Sequence, residues 1–306
     1  MTRRRWGAYP NGWFAVGFSD SVKPGMVRSW FFMDQAIVIW RTEGGAVAVA
    51  RAQHVCAELG RDGKVEGELL VCCPHHQFSF DQGGNCVASR HGGQPPWARL
   101  GMFEVAETNG VIMAWWHAEG RPPEWEPPDL SRPGFSPYAV RLESLSDRPE
   151  HVHGLDSGRL LVVHGFSVHR GIECLSADGH RMTFEHVTRK RVPLLGDVLF
   201  ENRFELYGLG ILVADVRAPK LGLRVRVLVL STPTVTYRMG LWTMLSTNVP
   251  VARGAIDRGL LRYLSRDLQR DFPIWHDQIH PLYPRIAAED GPILEFRRWA
   301  ATFYTP

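Results

Sequence analysis

The chain has 306 residues, 44% of them hydrophobic, with 35 lysines and arginines against 32 aspartates and glutamates. That length exceeds what one core usually holds, about 250 to 300 residues, so two domains are expected, and the near-balanced charge gives no ground for a nucleic-acid partner. The basic Met1-Thr2-Arg3-Arg4-Arg5 start lacks a following apolar stretch, no apolar run approaches the roughly 20 residues of a membrane span, and the five cysteines are odd in number with two adjacent, so a secretory signal, a membrane span and a disulfide framework are not expected and a reducing cytoplasm is.

Short apolar segments alternate with turn signals in the first quarter of the chain. Trp13-Phe14-Ala15-Val16, Ala36-Ile37-Val38-Ile39-Trp40, Ala46-Val47-Ala48-Val49-Ala50 and Leu69-Leu70-Val71 are separated by Asp20-Ser21, Glu43-Gly44-Gly45 and Asp62-Gly63. This spacing predicts a small antiparallel sandwich or barrel. Residues 120 to 137 carry six prolines and mark an extended linker, which puts the boundary near 122/123. Beyond it, Leu209–Val213, Leu223–Leu230 and Thr234–Met239 read as longer strands, and Arg258–Asp271 as a helix with Leu260, Leu261, Tyr263 and Leu264 on one side. The pattern is α+β, with a β-rich first domain.

Two segments carry metal-ligand chemistry. The first runs Ala52-Gln53-His54-Val55-Cys56-Ala57-Glu58-Leu59; the second runs Val71-Cys72-Cys73-Pro74-His75-His76-Gln77-Phe78-Ser79-Phe80-Asp81. With Pro10-Asn11-Gly12-Trp13-Phe14 ahead of them, they resemble the Rieske domain of Rieske non-haem iron oxygenases. In that family two loops present Cys-x-His and Cys-x-x-His, so that two thiolates hold one iron of a [2Fe-2S] cluster and two imidazoles the other. The resemblance implies cluster positions at His54, Cys73 and His76, but Ala52 stands where the first thiolate belongs. Both Cys72 with His75 and Cys73 with His76 satisfy Cys-x-x-His, and Phe78 and Phe80 favour the second pair. Cys56 can stand in as His-x-Cys, or complete a tetrahedral Zn²⁺ site with His54, Cys73 and His76. The metal-free reading makes these thiols small buried hydrophobes.

The resemblance extends across the chain and is strongest to the branch of 3-ketosteroid 9α-hydroxylases and cholesterol desaturases. Ser231-Thr232-Pro233, Gln269-Arg270-Asp271-Phe272-Pro273-Ile274-Trp275 and Glu289 to Trp299 are similar to segments of that branch. It implies an N-terminal all-β Rieske-like domain over 1–122 and a helix-grip-like catalytic domain, a curved antiparallel sheet with helices, over 123–306. Catalytic iron in this family is held by two histidines and a carboxylate, in the pattern Asp-x-x-His-x-x-x-x-His followed later by Asp. Here Asp156, His164 and Asp271 match, while Arg159 replaces the first histidine. A guanidinium stays protonated and cannot donate a lone pair to iron, but it can satisfy Asp156 and Asp271 by charge-assisted hydrogen bonds. His164, beside Gly165, also reads as a satisfied core histidine.

With each metal site one ligand short, the expectation is an enzyme without a cofactor. It would close a ring, by cyclisation or cycloaddition, on a large hydrophobic polyketide- or sterol-like substrate, with Asp156, Arg159, His164 and Asp271 as its polar groups. Phe200, Phe204, Tyr207, Tyr237, Met239, Trp242 and Met244 are candidates to line the pocket. Two alternatives stand beside it. One is an oxygenase with rearranged ligands for [2Fe-2S] and Fe²⁺, using His54, Cys56, Cys73 and His76 for the cluster and His164, Asp271 and a substitute histidine for iron. The other is a binding subunit without catalysis. The resemblance further implies a homotrimer.

Overall fold

A strand whose apolar residues recur every second position puts one face into a core, as in the strand over 181–192, whereas an all-apolar strand such as Gly12–Phe18 is buried on both faces. The computed structural model describes residues 9–54, 57–72, 76–90, 92–93, 98–130, 140–146, 165–192, 194–235, 238–249, 253–271, 273 and 292–305. Spatial contacts divide the chain into two compact units, one comprising Trp13–Asp129 with Thr232–Thr236, the other Met1–Gly12, Leu130–Ser231 and Tyr237–Pro306.

In the first unit β1 (Gly12–Phe18) is followed by β2 (Val27–Phe32), β3 (Gln35–Arg41) and β4 (Val47–Arg51), which pair in succession. A short ribbon, β5 (Gln53–His54) with β6 (Ala57–Glu58), leads into a single helical turn, α1 (Leu59–Asp62). Next come β7 (Lys64–Glu66), β8 (Leu69–Cys72), β9 (Phe78–Phe80) and β10 (Cys86–Ala88), again paired in order. β11 (Met102–Phe103) adds to β4, and β12 (Val105–Thr108) forms a hairpin with β13 (Val111–Trp116), which also pairs with β1. Val38, Trp40, Ala50, Leu59, Leu70 and Phe80 meet in one buried cluster. The proline-rich stretch is pinned at its start, since Trp115 Nε1 donates to Arg121 O and Asn109 Nδ2 to Pro128 O, both at 2.8 Å.

The second unit is a seven-stranded antiparallel sheet. Its strands are β14 (Val140–Ser146), β15 (Ser167–Asp178), β16 (Arg181–Val192), β17 (Gly196–Tyr207), β18 (Ile211–Ala218), β19 (Leu223–Pro233) and β20 (Met239–Thr247), in spatial order β14-β20-β19-β18-β17-β16-β15. Among the described residues two helices follow, α2 (Arg253–Gln269) and α3 (Ile293–Ala301). The expected strand over Thr234–Met239 is corrected: β19 ends at Pro233, Met33 and Asp34 N–H groups donate to Pro233 O and Thr234 O, and β20 begins only at Met239. The β-branched residues there were read for propensity, but proline ends the ladder. The helix starts five residues before the expected Arg258, because packing, not the propensity of Gly254 and Gly259, holds its first turns.

The register assigns the sheet's faces. Met182 pairs with Leu206, Phe184 with Phe204 and His186 with Asn202, and these continue to Leu212, Ala214 and Val216 on β18. This inner face carries the helices: Leu261 of α2 packs with Ala214, Val227 and Val229, and Trp299 of α3 packs with Met182, Phe184 and Leu206. The outer face combines buried apolar residues, Val213, Leu228, Leu230, Trp242 and Met244, with paired charges. There Arg203 reaches Glu185 and Glu205 at 3.1 Å, and the buried Arg226 forks onto Asp215 at 2.8 and 3.0 Å while donating to Leu130 O at 2.8 Å.

Candidate functional site

The loop pair sits where strands of the first unit end. Ala52 is fully buried; its N–H donates to Ala36 O, its carbonyl accepts from Leu59 N–H, and its methyl belongs to the core cluster. No donor atom is available at that position. His54 and Ala57 are partners in the β5–β6 ribbon. The side chain of His54, and residues Cys56, Cys73 and His75, lie outside the described residues. Cys72, paired with Phe78 across β8 and β9, turns its thiol into the same core. That use as a core residue is consistent with Cys73 and His76 as the second loop's pair. His76 is exposed, and its ring stacks on Phe78 at 5.1 Å and 5°. Cys72 and Cys86 are both buried.

In the second unit the candidate set enters the described structure through Asp271; Asp156, Arg159 and His164 lie outside it. Asp271 is 6% exposed and follows the C-terminal end of α2, where its N–H donates to Leu268 O. A carboxylate buried at the negative end of a helix dipole is stabilised by a nearby cation, which fits a metal ligand and equally an arginine partner. The helix is held at its other end by Thr247 Oγ1, which donates to Asp257 Oδ1 at 2.6 Å.

Of the expected pocket residues, Phe200, Phe204 and Met239 lie on the inner face. Tyr207, Trp242 and Met244 are corrected to the opposite face by strand alternation, and Tyr207 spends its hydroxyl on Glu205 at 2.8 Å. Tyr237 lies outside the described residues. The sequence reading missed His186. It is 6% exposed, stacks on Phe204 at 5.2 Å, and its Nδ1 has no hydrogen-bond partner among the described residues. Burial pushes its pKa down to about 4, so it is neutral near pH 7. The Met182, Phe184, His186, Thr188 alternation was the signal for it. A cleft of about 420 Å³ reaches His186 and is otherwise lined mainly by Arg170, Glu173, Glu185, Glu201, Arg203 and Arg217. Its mixed charges, partly paired with one another, suit a structural ladder rather than an apolar ligand.

Residues 114–304 match the family model of the 3-ketosteroid 9alpha-hydroxylase C-terminal domain, and residues 12–100 match that of the Rieske [2Fe-2S] domain. The chain belongs to the Rieske non-haem iron oxygenases. It is 29% identical to cholesterol 7-desaturase nvd 1 of Ciona intestinalis, over 97% of this chain and 69% of that protein. It is 21% identical to the oxygenase component of the 3-ketosteroid-9-alpha-monooxygenase of Rhodococcus rhodochrous, over 97% of this chain and 81% of that one. Dicamba monooxygenase bound to 3,6-dichlorosalicylic acid superposes with a TM-score of 0.75 at 17% identity, over 97% of this chain and 98% of that chain, which shows a shared fold.

These matches overturn the expectation of no cofactor: the Rieske domain and the oxygenase relatives point to iron–sulfur and iron cofactors. The metal-free cyclase and its polyketide substrate find no support, since the relatives are oxygenases and desaturases. Counting ligands at inherited positions misleads because a metal accepts any donor within reach, not one alignment column. For this Rieske oxygenase relative the donors fit in part. Asp271 fits a cation site, whereas Ala52 fits no cluster ligand, so a complete set requires a donor from another position. Among the described residues no helix is long and apolar enough to cross a membrane.

Proposed function

We propose that the chain is a Rieske-type oxygenase that hydroxylates or desaturates a hydrophobic, sterol-like substrate, with ligand sets shifted from the inherited positions. The Rieske-like domain, over 1–122, would hold its cluster through His54, Cys56, Cys73 and His76. The catalytic domain, over 123–306, would hold iron through His164, Asp271 and a substitute histidine. When bound, the cluster supplies single electrons and the iron activates dioxygen. In this reading Arg159 pairs with Asp156 and leaves Asp271 to the metal. A homotrimer in the cytoplasm is the assembly that goes with it.

The observation that carries the proposal is the pairing of a match over the whole chain with a buried carboxylate at the end of a helix packed on an apolar wall. Phe184, Phe204, Leu206 and Leu212 suit a polycyclic hydrocarbon surface, since ligand sites are mostly apolar with a few placed polar groups. His186 supplies one such group. Its neutral ring, stacked on Phe204 beside Phe184, can hydrogen-bond a substrate oxygen through Nδ1. The relatives' names, a cholesterol 7-desaturase and a 3-ketosteroid-9-alpha-monooxygenase, support a steroid nucleus as the class.

The test is anaerobic reconstitution with iron and sulfide, followed by metal and labile-sulfide analysis and electron paramagnetic resonance of the reduced sample. About three irons and two sulfides per chain are expected. A colourless, folded protein that takes up neither would overturn the proposal.

A further inference from the structure

We infer that the end of the sheet formed by the β16–β17 hairpin tip and the Pro219–Leu221 turn docks on the surface of an anionic lipid bilayer. At that tip Leu194 is fully exposed (106% of its reference area) and Leu195, Leu199 and Leu221 are 45%, 39% and 40% exposed. Lys220 joins the two segments, because its Nζ donates to Leu195 O at 2.6 Å and contacts Asp197 O at 3.4 Å. The four leucines therefore belong to one edge rather than being scattered singly, which is the ordinary state of surface leucines. Leu194 also holds a left-handed backbone, φ 69°, where asparagine or glycine is the usual choice. A large apolar side chain at a strained and fully exposed position makes no contribution to the core.

The hairpin continues past the last β17–β18 pair, Glu201 with Arg217; Val198 is still buried, and Leu194, Leu195, Gly196 and Asp197 form its exposed tip. Charge identifies the occupant. Around the tip the exposed cations are Arg191, Lys220 and Arg224, while Arg189 lies 3.9 Å from Asp197 and Arg217 sits opposite Glu201. Lys190 faces away from this set, onto Phe166 and Tyr263. Leucines at an exposed tip with a cationic collar match a bilayer interface, where the apolar groups enter the acyl boundary and the cations meet anionic headgroups. A sterol-class substrate resides in such a phase, but the docking does not depend on the ligand assignment at either metal site.

The experiment is co-sedimentation of the full chain with phosphatidylcholine vesicles, with and without phosphatidylserine. Binding is expected to require phosphatidylserine and to weaken as salt is raised. Leu194→Asn with Leu195→Ser should reduce the partition coefficient by roughly tenfold or more at an unchanged melting temperature, and Arg191→Gln should reduce the phosphatidylserine dependence. Failure of the folded wild type to sediment with phosphatidylserine vesicles, or equal binding by the double variant, would overturn the inference. So would dissociation of an oligomer by the double variant, which would assign the tip to contact between copies.

Discussion

Thr247 and Asp257, both fully buried, share a 2.6 Å hydrogen bond that ties the last residue of β20 to the second turn of α2. The helix that precedes Asp271 is thereby anchored at its start. Thr247→Val keeps the shape and removes the donor, leaving a buried carboxylate oxygen without it. We expect a loss of about 1 to 3 kcal/mol, measured by urea unfolding, together with weaker iron retention. Unchanged stability would mean that helix packing on Val227 and Val229 is sufficient by itself.

His186 makes a prediction with a sign. Its pKa in the folded chain is lowered from 6.5 to about 4, so between those values the unfolded chain binds the extra proton and stability falls as the solution is acidified. Integrated from neutral pH to pH 4, the loss is on the order of 3 kcal/mol. His186→Phe should flatten this part of the stability profile, and equal acid sensitivity in both proteins would contradict the assignment.

Arg226 lies buried between Asp215 and Leu130 O. Arg226→Met strands the carboxylate and should destabilise by about 3 to 5 kcal/mol. Adding Asp215→Leu should recover part of the loss, with a coupling of at least about 1 kcal/mol in the double-mutant cycle. Strict additivity by chemical denaturation would refute the pairing.

The rearranged cluster set turns on Cys56. Cys56→Ser is expected to abolish the visible absorption and the paramagnetic signal of a reconstituted sample without lowering its melting temperature. Retention of both would exclude Cys56 as a ligand. Ala52→Cys, which restores a thiol at the buried position, should raise cluster occupancy in the Cys56→Ser background.

Much of this was legible before the fold. The short apolar runs Ala36–Trp40 and Ala46–Ala50, bounded by turn signals, located β3 and β4, because a run of apolar residues between turns is a local property of the chain. The loop motifs carried the ancestry, since ligand spacing is also local. Thr234–Met239 was misread because Pro233 and the pairing of Met33 and Asp34 act across distance. The inner face was visible only in part: Phe204 lies on it, whereas Trp242 and Met244, named beside it, are core residues of the other face, since parity along β20 has no meaning until its register with a neighbour is known.

The sequence by itself determined the family and the side chains that stand at the motif positions, alanine at 52 and arginine at 159 among them, because these are properties of side-chain chemistry at fixed spacing. Only the tertiary structure decided that Ala52 and Cys72 are core residues, that Asp271 is buried at a helix end, and that His186 faces an apolar wall. Burial is a sum over partners brought together from distant segments, and no single segment contains it.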